Sequence, residues 1–287
     1  MEPWRNAPEG IIDAHHHLWN RRRHPQPWID PVSMAAIDAD FGPEDLAALA
    51  EPAGVRGTVV VQSIRSEPET VDLLGTAARS ELIRGVVGWV DIATAGVADR
   101  IHRLRAAPGG GKLVGVRHLA QDEPDPAFLR RADIRDGIAA VADAGLVFDL
   151  VIRHHQLPAA IELVASLPQA SFVLDHLGKP PLTGDLRGWA GHLRTLAQLP
   201  NVSAKVSGLV TEANWSSWRP ADLAPAVSHA LDTFGPGRLM FGSDWPVCLL
   251  ATGYQEWIRV LGELLAGADE QQLAQIWRQT ARRVYRI

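Results

Sequence analysis

The chain has 287 residues, enough for one large domain or two average ones, and α/β barrels commonly reach this size as a single unit. Hydrophobic residues at 46% against 21% charged supply a large core, and a formal net charge of -5 gives no electrostatic reason to expect a nucleic-acid partner. No run approaches the ~18 consecutive apolar residues of a membrane helix, and a single cysteine, Cys248, cannot close an internal disulfide. The opening MEPWRNAPEG lacks a basic n-region and an apolar h-region, so no cleaved signal is expected and the cytoplasm is the default location. A small-molecule partner fits these bounds better than nucleic acid or a membrane, and nothing in them sets an oligomeric state.

In chain order, residues 1–10 read as an N-terminal extension and IIDAHHHL (11–18) as a first strand. Its histidines follow ordinary residues inside an apolar run, which an expression tag in a Gly/Ser spacer would not. Strand alternation puts Asp13, His15 and His17 on one face and Ile12, Ala14, His16 and Leu18 on the other. Residues 19–43 form a long loop rich in Pro, Trp and Arg, where Trp19 and Trp28 favour packing over disorder. Helical spacing over 44–54 leads to the strand GTVVVQS (57–63), and a helix over 69–80 to IRGVVGWVD (83–91). RAAPGGGK (105–112) has no Walker pattern around it and reads as a flexible turn into LVGVRHL (113–119). A helix over 133–145, the strand LVFDLVIR (146–153), a helix over 157–168 and the strands SFVLDHLG (171–178), NVSAKVSGL (201–209) and RLMFGSDWPV (238–247) complete the series. Gly54 and Gly145 fall where left-handed helix C-caps are expected.

Eight nearly continuous hydrophobic strands alternating with helices imply a parallel sheet covered by helices, and in this length a single-domain TIM-type (β/α)₈ barrel over 1–287. A doubly wound open sheet would usually carry a glycine-rich phosphate turn after its first strand. Here that strand ends in histidine instead.

Barrel active sites are built at the C-terminal ends of the strands. His15 and His17 stand at the end of strand one, His176 at the end of strand six and Asp244 at the end of strand eight. Together they are an N/O ligand set for one divalent ion such as zinc, and without metal the same set could hold a water and polarise a carbonyl. Taken singly, each has a structural reading, His176 as a helix-end group and Asp244 as an N-cap. Their placement on independent strand ends is what capping does not explain. Strands four, five and seven add Arg117 and His118, then Arg153, His154 and His155, then Lys205, whose clustering suggests an anion or polyhydroxyl site. The competing reading for these basic groups is local salt bridging to Asp149, Asp175 or Glu212.

The stretches DAHHHLW, VVVQS followed by ET, VVGWVD, GVRH, FDLVIRHHQLP, FVLDHLGKP, VSAKVSGLVTEA and MFGSDWPV resemble the amidohydrolase superfamily, in its amidohydrolase-2 branch. That branch includes enzymes of the L-fuconolactonase, L-rhamnonolactonase, 2-pyrone-4,6-dicarboxylate lactonase and sulfomuconolactone hydrolase type. The resemblance runs from about residue 11 to the C-terminal RRVYRI and is closest to the sugar-lactone side. It implies a metal-type site on His15, His17, His176 and Asp244, with Asp244 as general base. Strand four offers no lysine that could be carbamylated to bridge two metals, so a binuclear centre is not expected. Members of the branch differ in whether they need metal, which leaves metal-independent catalysis open beside one divalent ion.

The expectation is therefore a lactonase of carbohydrate metabolism that opens the ring of an aldonolactone by water attack. The histidines stabilise the carbonyl oxygen and Asp244 shuttles the proton. Arg117, His118 and Lys205 bind substrate hydroxyls or a carboxylate, with Arg153 and His154 as further candidates and Trp28 and Trp245 as walls. The alternatives are decarboxylation of an aromatic or unsaturated acid on the same barrel, hydrolysis of a non-sugar lactone, and a non-catalytic sugar-acid binder, which would have no reason to keep Asp244 with the histidines.

Overall fold

A computed structural model describes residues 10–287, so all but the last residue of the expected N-terminal extension lies outside the described residues. Eight strands, β1 (Ile11–His16), β2 (Val55–Val61), β3 (Ile83–Gly88), β4 (Leu113–His118), β5 (Val147–Leu150), β6 (Phe172–Leu174), β7 (Val202–Val206) and β8 (Leu239–Phe241), pair in parallel in chain order. A parallel bridge between His16 and Trp245 brings the two end strands together, so the sheet is a nearly closed barrel. Around it, in chain order, run α1 (Pro43–Ala50), α2 (Glu67–Ala78), α3 (Val97–Ala106), α4 (Ala132–Asp143), α5 (Leu157–Ser166) and α6 (Arg187–Ala197). They are followed by α7 (Leu209–Glu212), α8 (Pro220–Phe234), α9 (Tyr254–Leu264), α10 (Glu270–Ala274) and α11 (Thr280–Tyr285). This is the single-domain (β/α)₈ barrel the alternation predicts, and no helix among the described residues is long and apolar enough to cross a membrane.

Local chemistry sets the ends of these elements. Ser66 Oγ accepts from Glu69 N at 3.2 Å to cap α2, and the Asp45 carboxylate accepts from Gly42 N at 2.8 Å ahead of α1. Gly54 and Gly145 have φ of +83° and +71°, the left-handed conformation that glycine adopts without a Cβ penalty. The strands are shorter than their apolar runs at the C-terminal side. After Leu174 the backbone enters the left-handed region at His176 (φ +54°) and Leu177 (φ +52°), and after Phe241 it does so at Asp244 (φ +57°). The ladder stops where the backbone turns, and the turns bring His176 and Asp244 to the barrel mouth while Leu177 joins the core between sheet and helices.

Two apolar layers hold the barrel. Ile12, Val59, Val61, Val87, Val147, Val173 and Met240 come from six different strands and pack as one cluster, which can only be the barrel interior. The larger cluster lies between sheet and helices, with Val60, Val86, Val116, Phe148 and Phe241 meeting Leu74, Ile138, Leu163 and Leu261. Each fully buried side chain of this kind contributes roughly 1.5–3 kcal/mol. Ala281 and Tyr285 of α11 belong to the interior cluster, so the last helix plugs the floor of the barrel.

The glycine-rich turn before β4 differs from its expected flexibility. A Cβ on Gly109 would lie 2.0 Å from Leu74 O, and Lys112 Nζ donates to the carbonyls of Ala77 (2.6 Å), Ser80 (2.9 Å) and Ile83 (2.7 Å). The glycines allow close backbone approach, and the connection is packed. The 19–43 loop is packed as well. Trp19 and Phe41 exchange backbone hydrogen bonds (3.1 and 3.0 Å), Trp19, Ile29 and Ile37 form a small core, and His24 reaches Asp72 of α2 at 2.5 Å.

Candidate active site

Strand β1 does not keep the strict alternation that its sequence suggests. Its register against β2 shifts between Asp13 and His16, a bulge that re-aims the side chains. Ala14 joins the interior cluster, and Asp13 turns instead to Tyr254 Oη of α9 (3.1 Å) and Ser243 N (2.8 Å). Asp13 is therefore not on the face of His15. His16 points away from the site and meets Thr58 Oγ1 at 3.0 Å. The bulge leaves His15 and His17 converging on the mouth.

Asp244 is held there by backbone bonds. Its own N–H donates to His15 O at 2.8 Å, while Trp245 N donates to Ser243 Oγ at 3.0 Å and His17 N to Trp245 O at 2.6 Å. These bonds over-determine a left-handed conformation that costs a non-glycine residue of order 1–3 kcal/mol, the kind of strain found at functional sites. Just after β6 a left-handed backbone likewise turns His176 inward, where its Nδ1 meets Ser207 Oγ at 2.8 Å. Gly208 must be glycine here, because a Cβ would stand 2.5 Å from His176 Nδ1.

The structure brings His15, His17, His176 and Asp244 together, all buried at 5% exposure or less. His15 Nε2 lies 3.3 Å from His17 Nε2, and Asp244 Oδ1 lies 3.6 Å from His15 Nε2, 3.5 Å from His17 Nε2 and 3.9 Å from His176 Nε2. Ligand atoms bound at ~2.0–2.1 Å to one tetrahedral zinc stand roughly 3.3–3.4 Å apart. His15, His17 and Asp244, at 3.3–3.6 Å, come close to that spacing and form a ligand group that could hold a metal, while His176 stands farther off at 3.9 Å from Asp244. The proton positions agree. His17 Nδ1 donates to Val61 O at 2.8 Å, which leaves Nε2 with its lone pair facing the site.

Burial, partly offset by Asp175, holds His15 well below the usual histidine value, and burial likewise lowers His176 against the pull of Asp244 and Asp175. Burial pushes the Asp244 carboxyl upward, but His176, the His17 hydrogen bond and His15 outweigh it and hold the group well below the usual carboxylate range. The centre thus pairs a committed carboxylate with two histidines, His15 and His176, that resist protonation.

The basic groups are engaged beneath this centre. Arg117 Nη1 donates to Asp175 Oδ2 at 3.1 Å and lies 3.4 Å from His15 Nε2, and Arg117 Nη2 donates to Gln62 O. Lys205 Nζ is enclosed by Asp149 Oδ2 (2.6 Å), Asp175 Oδ1 (3.0 Å) and His15 Nδ1 (3.1 Å). Both are thus bound in the salt bridging that competed with a substrate role, and the third acid weighed there, Glu212, pairs with Lys179 at 3.1 Å. His118 stacks on Phe128 (4.9 Å between centroids) and meets Glu123 Oε1 at 2.7 Å and Trp89 Nε1 at 3.4 Å, so both ring nitrogens have partners.

Trp245 is buried edge-on against Phe41, whereas Trp28 is part-exposed and packs on Trp19, which itself stacks on His17. Arg153 pairs with Asp122 at 3.9 Å and His154 packs on His155, and neither touches the four-residue centre. Sequence reading assigned no site role to Asp175, Asp149, Ser207, Gly208 or Tyr285. The available signal was charge inside apolar strands, since DL in β5 and LD before His176 are acids where a buried strand has no use for one unless paired.

Residues 12–287 match the model of the amidohydrolase family. The chain is 38% identical to an L-fucono-1,5-lactonase of Burkholderia multivorans over 96% of each chain. It is 37% identical to an L-fucono-1,5-lactonase of Burkholderia ambifaria over 84% of this chain and 81% of that one. Among solved structures, an amidohydrolase from Burkholderia multivorans with bound zinc superposes with a TM-score of 0.90 at 37% identity, covering 96% of this chain and 99% of the other. With a barrel of this order, a ligand-spaced set at its mouth and likeness along nearly its whole length, the chain belongs to the amidohydrolase family.

Proposed function

We propose that this enzyme hydrolyses the lactone of a sugar acid, an aldonolactone similar to L-fucono-1,5-lactone. The observation that carries the reading is the full-length likeness to the Burkholderia lactonases in a chain whose His15, His17 and Asp244 stand at the spacing of metal ligands. One divalent ion, zinc the expected species, would be held by His15, His17, Asp244 and His176, where it would polarise the lactone carbonyl and acidify a water.

The protein's own groups supply the rest. Asp244 takes a proton from the attacking water as its oxygen adds to the carbonyl carbon. The bond from that carbon to the ring oxygen then breaks, and the proton passes to the departing ring oxygen. The products are one carboxylate and one hydroxyl on the same molecule, with net acid release at neutral pH. A positioned acid–base shuttle of this kind is worth typically ~10²–10⁴ in rate. The 19–43 loop acts as an active-site wall, with Trp19 orienting His17 and Trp28 lining the entrance toward the substrate hydroxyls.

The test is a pH-indicator assay of purified protein on L-fucono-, L-rhamnono-, D-arabinono- and L-galactonolactone. Acid release well above the spontaneous rate on at least one is the expected result. Silence across the panel with zinc present would overturn the sugar-lactone reading and move the search to non-sugar lactones and to carbon dioxide release from aromatic acids.

A further inference from the structure

Asp149, Lys205, Asp175 and Tyr285 are almost wholly enclosed beneath the histidines. The Tyr285 hydroxyl, third residue from the C-terminus, donates to Asp149 at 2.9 and 2.8 Å from its two carboxylate oxygens. Asp149 Oδ2 accepts from Lys205 Nζ at 2.6 Å, and that ammonium forms an ion pair with Asp175 Oδ1 at 3.0 Å and meets His15 Nδ1 at hydrogen-bonding distance, 3.1 Å. His15 is thus held from both sides: Arg117 Nη1 lies 3.4 Å from Nε2, and Lys205 Nζ at 3.1 Å and Asp175 Oδ1 at 3.3 Å both face Nδ1.

We propose that Tyr285 is a positioning residue for the site: through Asp149 and Lys205 it fixes the carboxylate of Asp175 against His15 and so aims His15 Nε2 at the metal position. The proposal rests on the reading of His15 as a ligand. Packing alone does not call for this hydroxyl. The Tyr285 ring already belongs to the apolar cluster on the barrel floor, which a phenylalanine would fill as well. Burying the hydroxyl is unfavourable unless it has a partner, and its partner opens a continuous path of three hydrogen bonds to the His15 side of the centre. Lys205 is a flexible point charge whose place depends on its acceptors. With Tyr285 absent, Asp149 has one side-chain partner in place of two and the ammonium loses a fixed anchor.

The test is Tyr285→Phe, with Val284→Ala in the same helix as a packing control. Zinc affinity is measured on folded apoprotein by competition with a chromophoric chelator, alongside kcat, KM and Tm. Outer-sphere partners of metal ligands are typically worth ~10–100-fold in affinity or activity. Tyr285→Phe is expected to weaken zinc binding and lower kcat by that order while KM changes less than about twofold, whereas Val284→Ala lowers Tm and keeps native affinity. Should Tyr285→Phe not fold, Asp149→Asn breaks the next link and carries the same expectation. Native affinity and kcat in Tyr285→Phe would overturn the proposal, as would losses in both variants that track their Tm, or a native chain that takes up no zinc. Because the zinc arm needs no substrate, a protein that binds zinc normally but opens no lactone refutes the functional reading alone.

Discussion

Replacing Gly208 by alanine tests the geometry of the centre with a single methyl group. Gly208 has φ of +61°, and an L-residue in that conformation costs roughly 1–2 kcal/mol. The added Cβ would stand 2.5 Å from His176 Nδ1, 2.8 Å from His176 Cγ and 3.0 Å from Asp244 Oδ2, so it meets two members of the centre at once. Backbone bonds hold Asp244, and the His176 ring is therefore the part that yields. To restore ordinary contact it must move by about 1 Å, a displacement that can cost ~10² in rate. The move also strains its 2.8 Å bond to Ser207 Oγ. The expected result is a folded protein whose Tm falls by a few degrees, at roughly 2–4 °C per kcal/mol, and whose kcat/KM on the best lactone falls ~100-fold. Circular dichroism and the indicator assay read the two effects separately. A folded Gly208→Ala variant with native kcat/KM would refute the placement of His176 in the reacting centre.

Asp244→Asn should keep the fold and lower turnover by ~10²–10⁴, and near-native turnover in a folded variant would remove Asp244 from the role of base. Tyr254→Phe removes one donor from buried Asp13 and should cost about 1 kcal/mol in urea unfolding with kcat unchanged; a large loss of kcat would show that Asp13 has a further role. Burial, partly offset by bonds from Ser243, His15 and Tyr254, pushes the Asp13 carboxyl up to about 6 from 3.8. A raised carboxyl favours the protonated folded form, so its contribution is fully present below about pH 3.8 and is lost as pH rises through about 6, by up to ~3 kcal/mol. The stability lost in Asp13→Asn should accordingly be smaller at pH 8 than at pH 5 in urea titrations, and a loss that grows with pH would contradict the burial argument.

The barrel was legible because parallel strands covered on both faces are apolar throughout, and eight such runs stand out against amphipathic helices. The four members of the centre were legible for a related reason: a histidine or aspartate at the end of an apolar strand has few structural uses, and four of them shared one end. What sequence could not show was β1's bulge, since alternation alone groups Asp13 with His15, whereas the bulge sends Asp13 to Tyr254. The partners of Lys205 and Arg117 were visible only as candidates, because pairing across β4, β5, β6 and β7 depends on barrel closure. Tyr285 carried no signal at all. A tyrosine near a chain end becomes meaningful only once α11 is seen to enter the barrel floor.

The most direct test of the account is the rate of acid release from L-fucono-1,5-lactone by the native chain, after dialysis against chelator and again after one equivalent of zinc is returned. The account predicts activity that falls on chelation and recovers with zinc in the native protein, and no recovery when Asp244→Asn is treated in the same way. Full activity in chelated native protein, or recovery in Asp244→Asn, would contradict a metal held by His15, His17 and Asp244 working with Asp244 as base.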